Sequence, residues 1–362
     1  IKEPNVKIAA NVKPYLRMFL QPEIKEPNVK IAANVKPYLR MSLQSEIKDT
    51  NVKIALFPFE NFSDEKDKDV LKQVIPVLRS RLEKKGLEIL DDESLNRFLL
   101  KERIRYSGYI PKDVARKIES ELNVKAILTG SVNSFSAARN PIVGLSARLI
   151  DSSSGQILWA NHASASGEDF ITILGIGKIA AVDKLIPKVA DRLLASFNTE
   201  PPHKEVESTY RIAVMPFQSK AKGAGMVATY MALAELFKNR RFVPVEYGDI
   251  RKSVVDLRIR RKGELDYRSI DELSKSLEVD GFLVGTVEDY SAQLDTMSPP
   301  KVAISIRLID AHKKRILWYD SFQMNGDDSI FILDWGRLRT VDEVASRVIS
   351  TLTKKMEGAK WF

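Results

Sequence analysis

The chain has 362 residues, no cysteine and only three histidines. Without cysteine it can form no disulfide, no cysteine nucleophile and no thiolate metal site, although this does not separate cytoplasm from periplasm. His162, His203 and His312 are scattered, and none recurs at its counterpart in the repeat described below, so no metal ion is expected. No apolar run approaches the roughly 20 residues that a membrane helix needs, and no charged, apolar, small-residue series resembles a signal peptide. The first residue is Ile1 rather than Met, which leaves processing or truncation open. Phosphate loops are missing too. Gly175, Gly177 and Lys178 lack the required spacing and the following Ser or Thr, and the Gly-rich stretch at Lys222 to Gly225 lacks the lysine. No nucleophile elbow with Ser, His and Asp is present. No cofactor and no catalytic residue are therefore expected, and the chain reads as a non-enzyme.

What is present is duplication. GLSARLIDSSSGQILW, from Gly144 to Trp159, returns as AISIRLIDAHKKRILW, from Ala303 to Trp318, 159 residues later. The match runs on without a gap, so that Gly167, Asp169, Val182 and Asp183 recur as Gly326, Asp328, Val341 and Asp342. The front halves align through IALFPF at Ile54 to Phe59 and IAVMPF at Ile212 to Phe217, then through AILTGSV at Ala126 and GFLVGTV at Gly281. A period of this length is a whole domain, since solenoid units run to about 20 to 50 residues. The first 46 residues hold a second and closer duplication of 23 residues, differing only at Phe19/Ser42 and Pro22/Ser45. Their prolines forbid long helices, so this part reads as an arm, either loosely held or adding strands to neighbouring subunits.

In the first module, VKIALFPF is a strand. Val70, Leu71, Val74, Ile75, Leu78 and Leu82 form a helical stripe that Gly86 stops. A short strand at Leu87 to Leu90, helices at Glu93 to Lys101 and Lys112 to Leu122, strands at Ala126 to Phe135, Ile142 to Asp151 and Gln156 to Ala165, and a helix at Ile179 to Phe197 follow. Ser152 to Gly155 turns the last hairpin. The second module repeats this order, with capping boxes expected at Ser269/Glu272 and Thr340/Glu343. The predicted fold is α/β (α+β): two tandem three-layer domains, each a mixed sheet of about five strands packed by helices, behind a repetitive arm. The expected boundaries are 1–49 for the arm, 50–200 for the first domain, 201–209 for the linker and 210–362 for the second domain.

This order of elements, with IAVMPF in front, GSV or GTV in the middle and RLID followed by ILW behind, resembles a periplasmic superfamily. It includes the curli secretion lipoprotein CsgG, the lipoprotein activators of penicillin-binding proteins, the amino-terminal domain of TolB and the middle of flagellar assembly protein T. The resemblance covers both modules and leaves the arm outside. It implies an assembly protein at the outer membrane or in the periplasm that works by binding protein partners, as a homo-oligomer and with no catalysis. Its members are commonly anchored through a lipidated cysteine, which this sequence lacks. The connections Ser134 to Pro141 and Ala160 to Phe170 are too short to supply the membrane hairpins of a secretion pore.

Residues that both modules share serve most simply what both modules share. Arg148, Asp151 and Trp159, with Arg307, Asp310 and Trp318, read as hairpin braces and core anchors in preference to a repeated partner surface. Unshared residues are the candidates for partner binding: Arg258, Arg260, Arg261, Lys262, Trp335, Trp361 and Phe362. The formal net charge is +9, and the densest basic run, Arg251 to Lys262, is confined to the second module. The expected function is a self-associating envelope scaffold. The alternative is a nucleic-acid or polyanion binder using that basic surface.

Overall fold

A computed structural model describes residues 52–105, 108–171, 176–197, 209–239, 241–259, 265–292, 298–330 and 336–359. Both modules belong to one compact unit of the chain. The expected arm lies outside the described residues.

The first module runs β1 (Lys53–Leu56), β2 (Glu60–Asn61), α1 (Asp67–Glu83), β3 (Glu88–Ile89), α2 (Asp92–Lys101), α3 (Lys112–Leu122), β4 (Ala126–Ser136), β5 (Ile142–Asp151), β6 (Ile157–Ser166) and α4 (Val182–Leu193). The second runs β7 (Tyr210–Val214), β8 (Gln218–Ser219), α5 (Ala224–Lys238), β9 (Phe242–Pro244), α6 (Tyr247–Asp256), α7 (Tyr267–Leu277), β10 (Gly281–Ser291), β11 (Lys301–Asp310), β12 (Ile316–Asn325) and α8 (Val341–Gly358). Each module builds a mixed six-stranded sheet. The orders are β3-β1-β4-β5-β6 with β2 beside β4, and β9-β7-β10-β11-β12 with β8 beside β10. The three front strands pair in parallel and the three long ones antiparallel.

Strand alternation assigns the two faces. Val143, Leu145, Ala147 and Leu149 of β5 point to one side, where Val70, Val74, Leu78 and Leu82 of α1 and Leu185, Val189 and Leu193 of α4 complete a core. Ala55, Phe57, Ile127 and Ile150 point to the other side, under Leu95 and Phe98 of α2 and Ala115 and Ile118 of α3. Gly86 leaves α1 at φ +85°, a left-handed turn that favours glycine.

The structure departs from the sequence reading in three details. Each sheet has a sixth strand, because β2 and β8 are two residues long and carry no readable period. The closing helix of the first module begins at Val182 and passes into a 3-10 turn at Leu194–Ser196. Helix α7 is capped by Asp266, whose carboxylate accepts the Ser269 backbone N–H, while Glu272 pairs with Arg268. Ser269 therefore occupies the position to be capped. The Thr340/Glu343 box on α8 is formed.

Candidate functional site

From Ala224 to Leu236 the only charged residue is Glu235, so α5 is apolar on every side and has to be covered on every side. Its own sheet and α8 cover one side. Strands β5 and β6 of the first module cover another, and Tyr109, Ile157 and Ala160 of the first module belong to the core of the second. Its counterpart α1 leaves Lys72, Gln73 and Pro76 exposed. The two modules are thus fused head to tail, the sheet of the first against the helix layer of the second.

Polar side chains fasten this seam at both ends. On β5, Arg148 points away from Ala147 and Leu149 and toward the second module. It is 1% exposed. Its Nε donates to Glu246 Oε2 at 2.9 Å, and its Nη2 donates to Glu246 Oε1 at 3.1 Å and to the Gly108 carbonyl at 2.7 Å. The guanidinium lies 4.2 Å from the Tyr230 ring centre, and Nη1 has no hydrogen-bond acceptor among the described residues. Burial works against the charge on Arg148, but the Glu246 carboxylate and the Tyr230 hydroxyl together outweigh it and hold the guanidinium pKa above its ordinary value. Desolvating two ions costs several kcal/mol each, which the fork of hydrogen bonds has to offset.

The surroundings of this pair are aromatic. Tyr230 donates its hydroxyl to Glu60 Oε2 at 3.2 Å, and burial raises the Glu60 carboxyl. Tyr247 meets Tyr109 and Tyr230 edge-on at 5.4 and 5.9 Å. Asp249 accepts the Lys112 backbone N–H at 2.7 Å, and burial pushes its pKa up to about 6, with Glu246 adding to the rise. A Cβ at Gly248 would collide with the Ile110 carbonyl, so the first turn of α6 sits directly on the chain before α3.

Toward the other end, His162 Nε2 lies 2.9 Å from Glu235 Oε1, which also accepts Lys238 at 2.6 Å. Burial would raise Glu235, but the His162 hydrogen bond and Lys238 hold it at about 2. At the start of α8, Asp342 is fully buried. It accepts the hydroxyls of Ser134 and Tyr290, each at 2.6 Å, and burial still raises its pKa. Gly144 is required there, because a Cβ would strike the Asp342 carboxylate. Arg339 reaches Asp169 at 3.5 Å and Glu168 at 3.9 Å. Burial, followed by the nearby Asp169 carboxylate, pushes Glu343 up to about 7. These groups are used in holding the modules together. Among the described residues no three His, Asp or Glu side chains gather so as to hold a metal ion.

The residues singled out in the sequence fall in different places. Trp159 is buried, donates to Ser196 Oγ at 3.1 Å and packs on Phe197. Asp151 and Asp310 each accept hydrogen bonds from their own hairpin turns, from Ser153 and Ser154 and from the His312 and Lys313 N–H groups. Trp318 is half-buried against the second core. Arg307 is half-buried on the open face described next, and Arg258 is exposed beyond α6 with φ +53°. Arg260, Arg261, Lys262, Trp335, Trp361 and Phe362 lie outside the described residues. Glu60, Tyr230, Glu246 and Asp342 complete the seam and are not among the sequence candidates. Only the all-round apolarity of α5 could have pointed to them.

The face of the first sheet that carries the seam has a counterpart in the second that the described residues leave partly uncovered. Ile150 pairs with Ile157 as Ile309 pairs with Ile316, and Arg148 pairs with Ala160 as Arg307 pairs with Tyr319. Ile157 and Ala160 are 5% and 2% exposed, whereas Ile316 and Tyr319 are 54% and 58% exposed.

No protein-family model matches the chain, and no curated protein matches it. Several solved structures are similar to part of it. The PelC dodecamer of Paraburkholderia phytofirmans is 16% identical, covering 41% of this chain and 89% of its own, with a TM-score of 0.29. Lipoprotein GNA1162 of Neisseria meningitidis is 18% identical over 40% of this chain and 98% of its own, with a TM-score of 0.29. The LpoB C-terminal domain of Escherichia coli is 11% identical over 34% of this chain and 87% of its own, with a TM-score of 0.25. No helix among the described residues is long and apolar enough to cross a membrane.

Proposed function

We propose that this chain is a non-enzymatic scaffold or assembly protein of the cell envelope, in the periplasm or at the outer-membrane periphery, which self-associates and binds protein partners. The observation that carries the reading is the open face of the second sheet. In the first module the same face binds a folded domain, and in the second it presents Ile316 and Tyr319 to solvent. Ile316 and Tyr319 lie together at the positions that bind a folded domain in the first module, which supports a protein-binding surface there. The envelope setting rests on the resemblance of the IAVMPF, GTV and RLID motifs, and the domains are taken as 50–200 and 210–362 on the same basis.

A photo-crosslinking amino acid at Tyr319, in the full-length protein expressed in its own cells, tests this reading. Protein adducts in the envelope fraction are expected, with none from the same probe at the exposed Leu100 of the first module. Recovery in the cytoplasm, bound to nucleic acid with an affinity that falls steeply as salt rises, would replace it with the polyanion reading.

A further inference from the structure

We propose that the open sheet face of the second module receives the helix layer of the first module of another copy of this chain, repeating between molecules the joint that fuses the modules within one. The inference rests on the scaffold reading and names its partner. The internal joint supplies the geometry. Within the chain, sheet one holds helix layer two. The same operation applied once more places helix layer one of a second molecule on sheet two.

Three observations fit that occupant. One apolar contact point is retained, Ile316 standing where Ile157 is buried in the joint; at the next, the larger Tyr319 stands where Ala160 is, and both Ile316 and Tyr319 are exposed. Tyr267 opens α7 as Lys112 opens α3, beside the seat of the incoming helix, and it is exposed as well. The charges also correspond. Arg307 holds the register position of Arg148, opposite Val284 as Arg148 is opposite Thr129. Its proposed acceptor is Asp91, the residue before α2, as Glu246 is the residue before α6. Glu93 extends the acidic end, while Asp92 is already paired with Arg79 of α1.

The differences between the joints set the character of the second one. Helix α1 offers Lys72, Gln73 and Pro76 where α5 is apolar, Asp91 already accepts the Ser94 N–H at 2.7 Å, and Ala303 carries the Cβ that Gly144 lacks. The intermolecular joint is therefore more polar and less close than the internal one, and it is reversible and weakened by salt. Because it joins two different surfaces it is heterologous. Each added copy leaves a new open face, so assembly proceeds beyond dimers, to a ring if the rotation closes and to a filament if it does not.

Sedimentation of the full chain across a concentration series is the test. Concentration-dependent species larger than dimers are expected. Tyr319→Arg should leave monomers with an unchanged thermal transition. Asp91→Ser, which keeps a capping side chain before α2 and removes the charge, should weaken association by about tenfold. A variant blocked on the other surface, Lys72→Glu with Pro76→Arg, should also be monomeric alone. Mixed with Tyr319→Arg it should form one-to-one dimers that grow no further. Wild type that stays monomeric at every concentration overturns the proposal, as does assembly that survives Tyr319→Arg. Two blocked variants that fail to rescue each other overturn it in favour of a face-to-face contact. A wild-type monomer that still crosslinks a different envelope protein through Tyr319 removes the second copy as occupant and leaves the scaffold reading standing.

Discussion

Arg148 and Arg307 occupy the same place in the same repeated RLID word and have different surroundings. One is buried in a fork with Glu246, and the other is half-buried at an uncovered face. Removing one partner of a buried ion pair leaves the other charge uncompensated, whereas replacing both with apolar groups is nearly neutral. Arg148→Met is therefore expected to lower unfolding stability by about 3–5 kcal/mol, and Arg148→Met with Glu246→Leu to recover most of that loss, as read in a chemical-denaturation double-mutant cycle. Single and double variants of equal stability would show that Glu246 is not held by Arg148. At Gly144, where any side chain meets the Asp342 carboxylate, alanine should cost about 1–3 kcal/mol by overpacking.

Individual elements carry the pH dependence. The helix starts of α6 and α8 bury Asp249 and Glu343, whose pKa values are raised from 3.8 to about 6 and from 4.5 to about 7. Well below the ordinary values of 3.8 and 4.5 the carboxyls are protonated in both states, so neither group affects stability. As pH rises through these windows the unfolded chain releases the proton and the folded chain keeps it, so stability falls. Glu235 on α5 acts in the opposite sense, since its value is lowered to about 2 and the stability it contributes is lost as pH falls below 4.5. Urea midpoints should consequently rise from pH 7 toward pH 4.5 and turn down below it. Glu343→Gln should flatten the upper limb, because its amide oxygen can still accept the Thr340 and Arg339 N–H groups that Glu343 accepts. An upper limb as steep in Glu343→Gln as in wild type would assign the slope elsewhere. The main elements were legible because stripes such as Val70, Val74, Leu78 and Leu82 repeat over several turns. The Asp266 cap was not, because Ser269 and Glu272 imitate the capping-box spacing one turn later.

At the scale of the whole molecule, the apolar face of α5 makes the second module dependent on the first. A protease site placed between residues 198 and 208 should allow the chain to be cut with both halves still eluting together. The second module expressed alone should expose α5 and aggregate or bind a hydrophobic dye. Halves that separate on cutting, each soluble and folded, would contradict a seam built on α5.

The sequence by itself determined the duplication, the order of helices and long strands, the hairpin turns braced by Asp151 and Asp310, and the buried place of Trp159, because each follows from local period, turn chemistry or a repeat present in one chain. Only the tertiary structure decided that the modules join face to helix layer, that Arg148 serves the joint, and that the described residues leave Ile316 and Tyr319 open on the second sheet. Those outcomes depend on residues 98 positions apart for Arg148 and Glu246 and 208 apart for Ser134 and Asp342, and pairs at such separations leave no periodic trace in the chain.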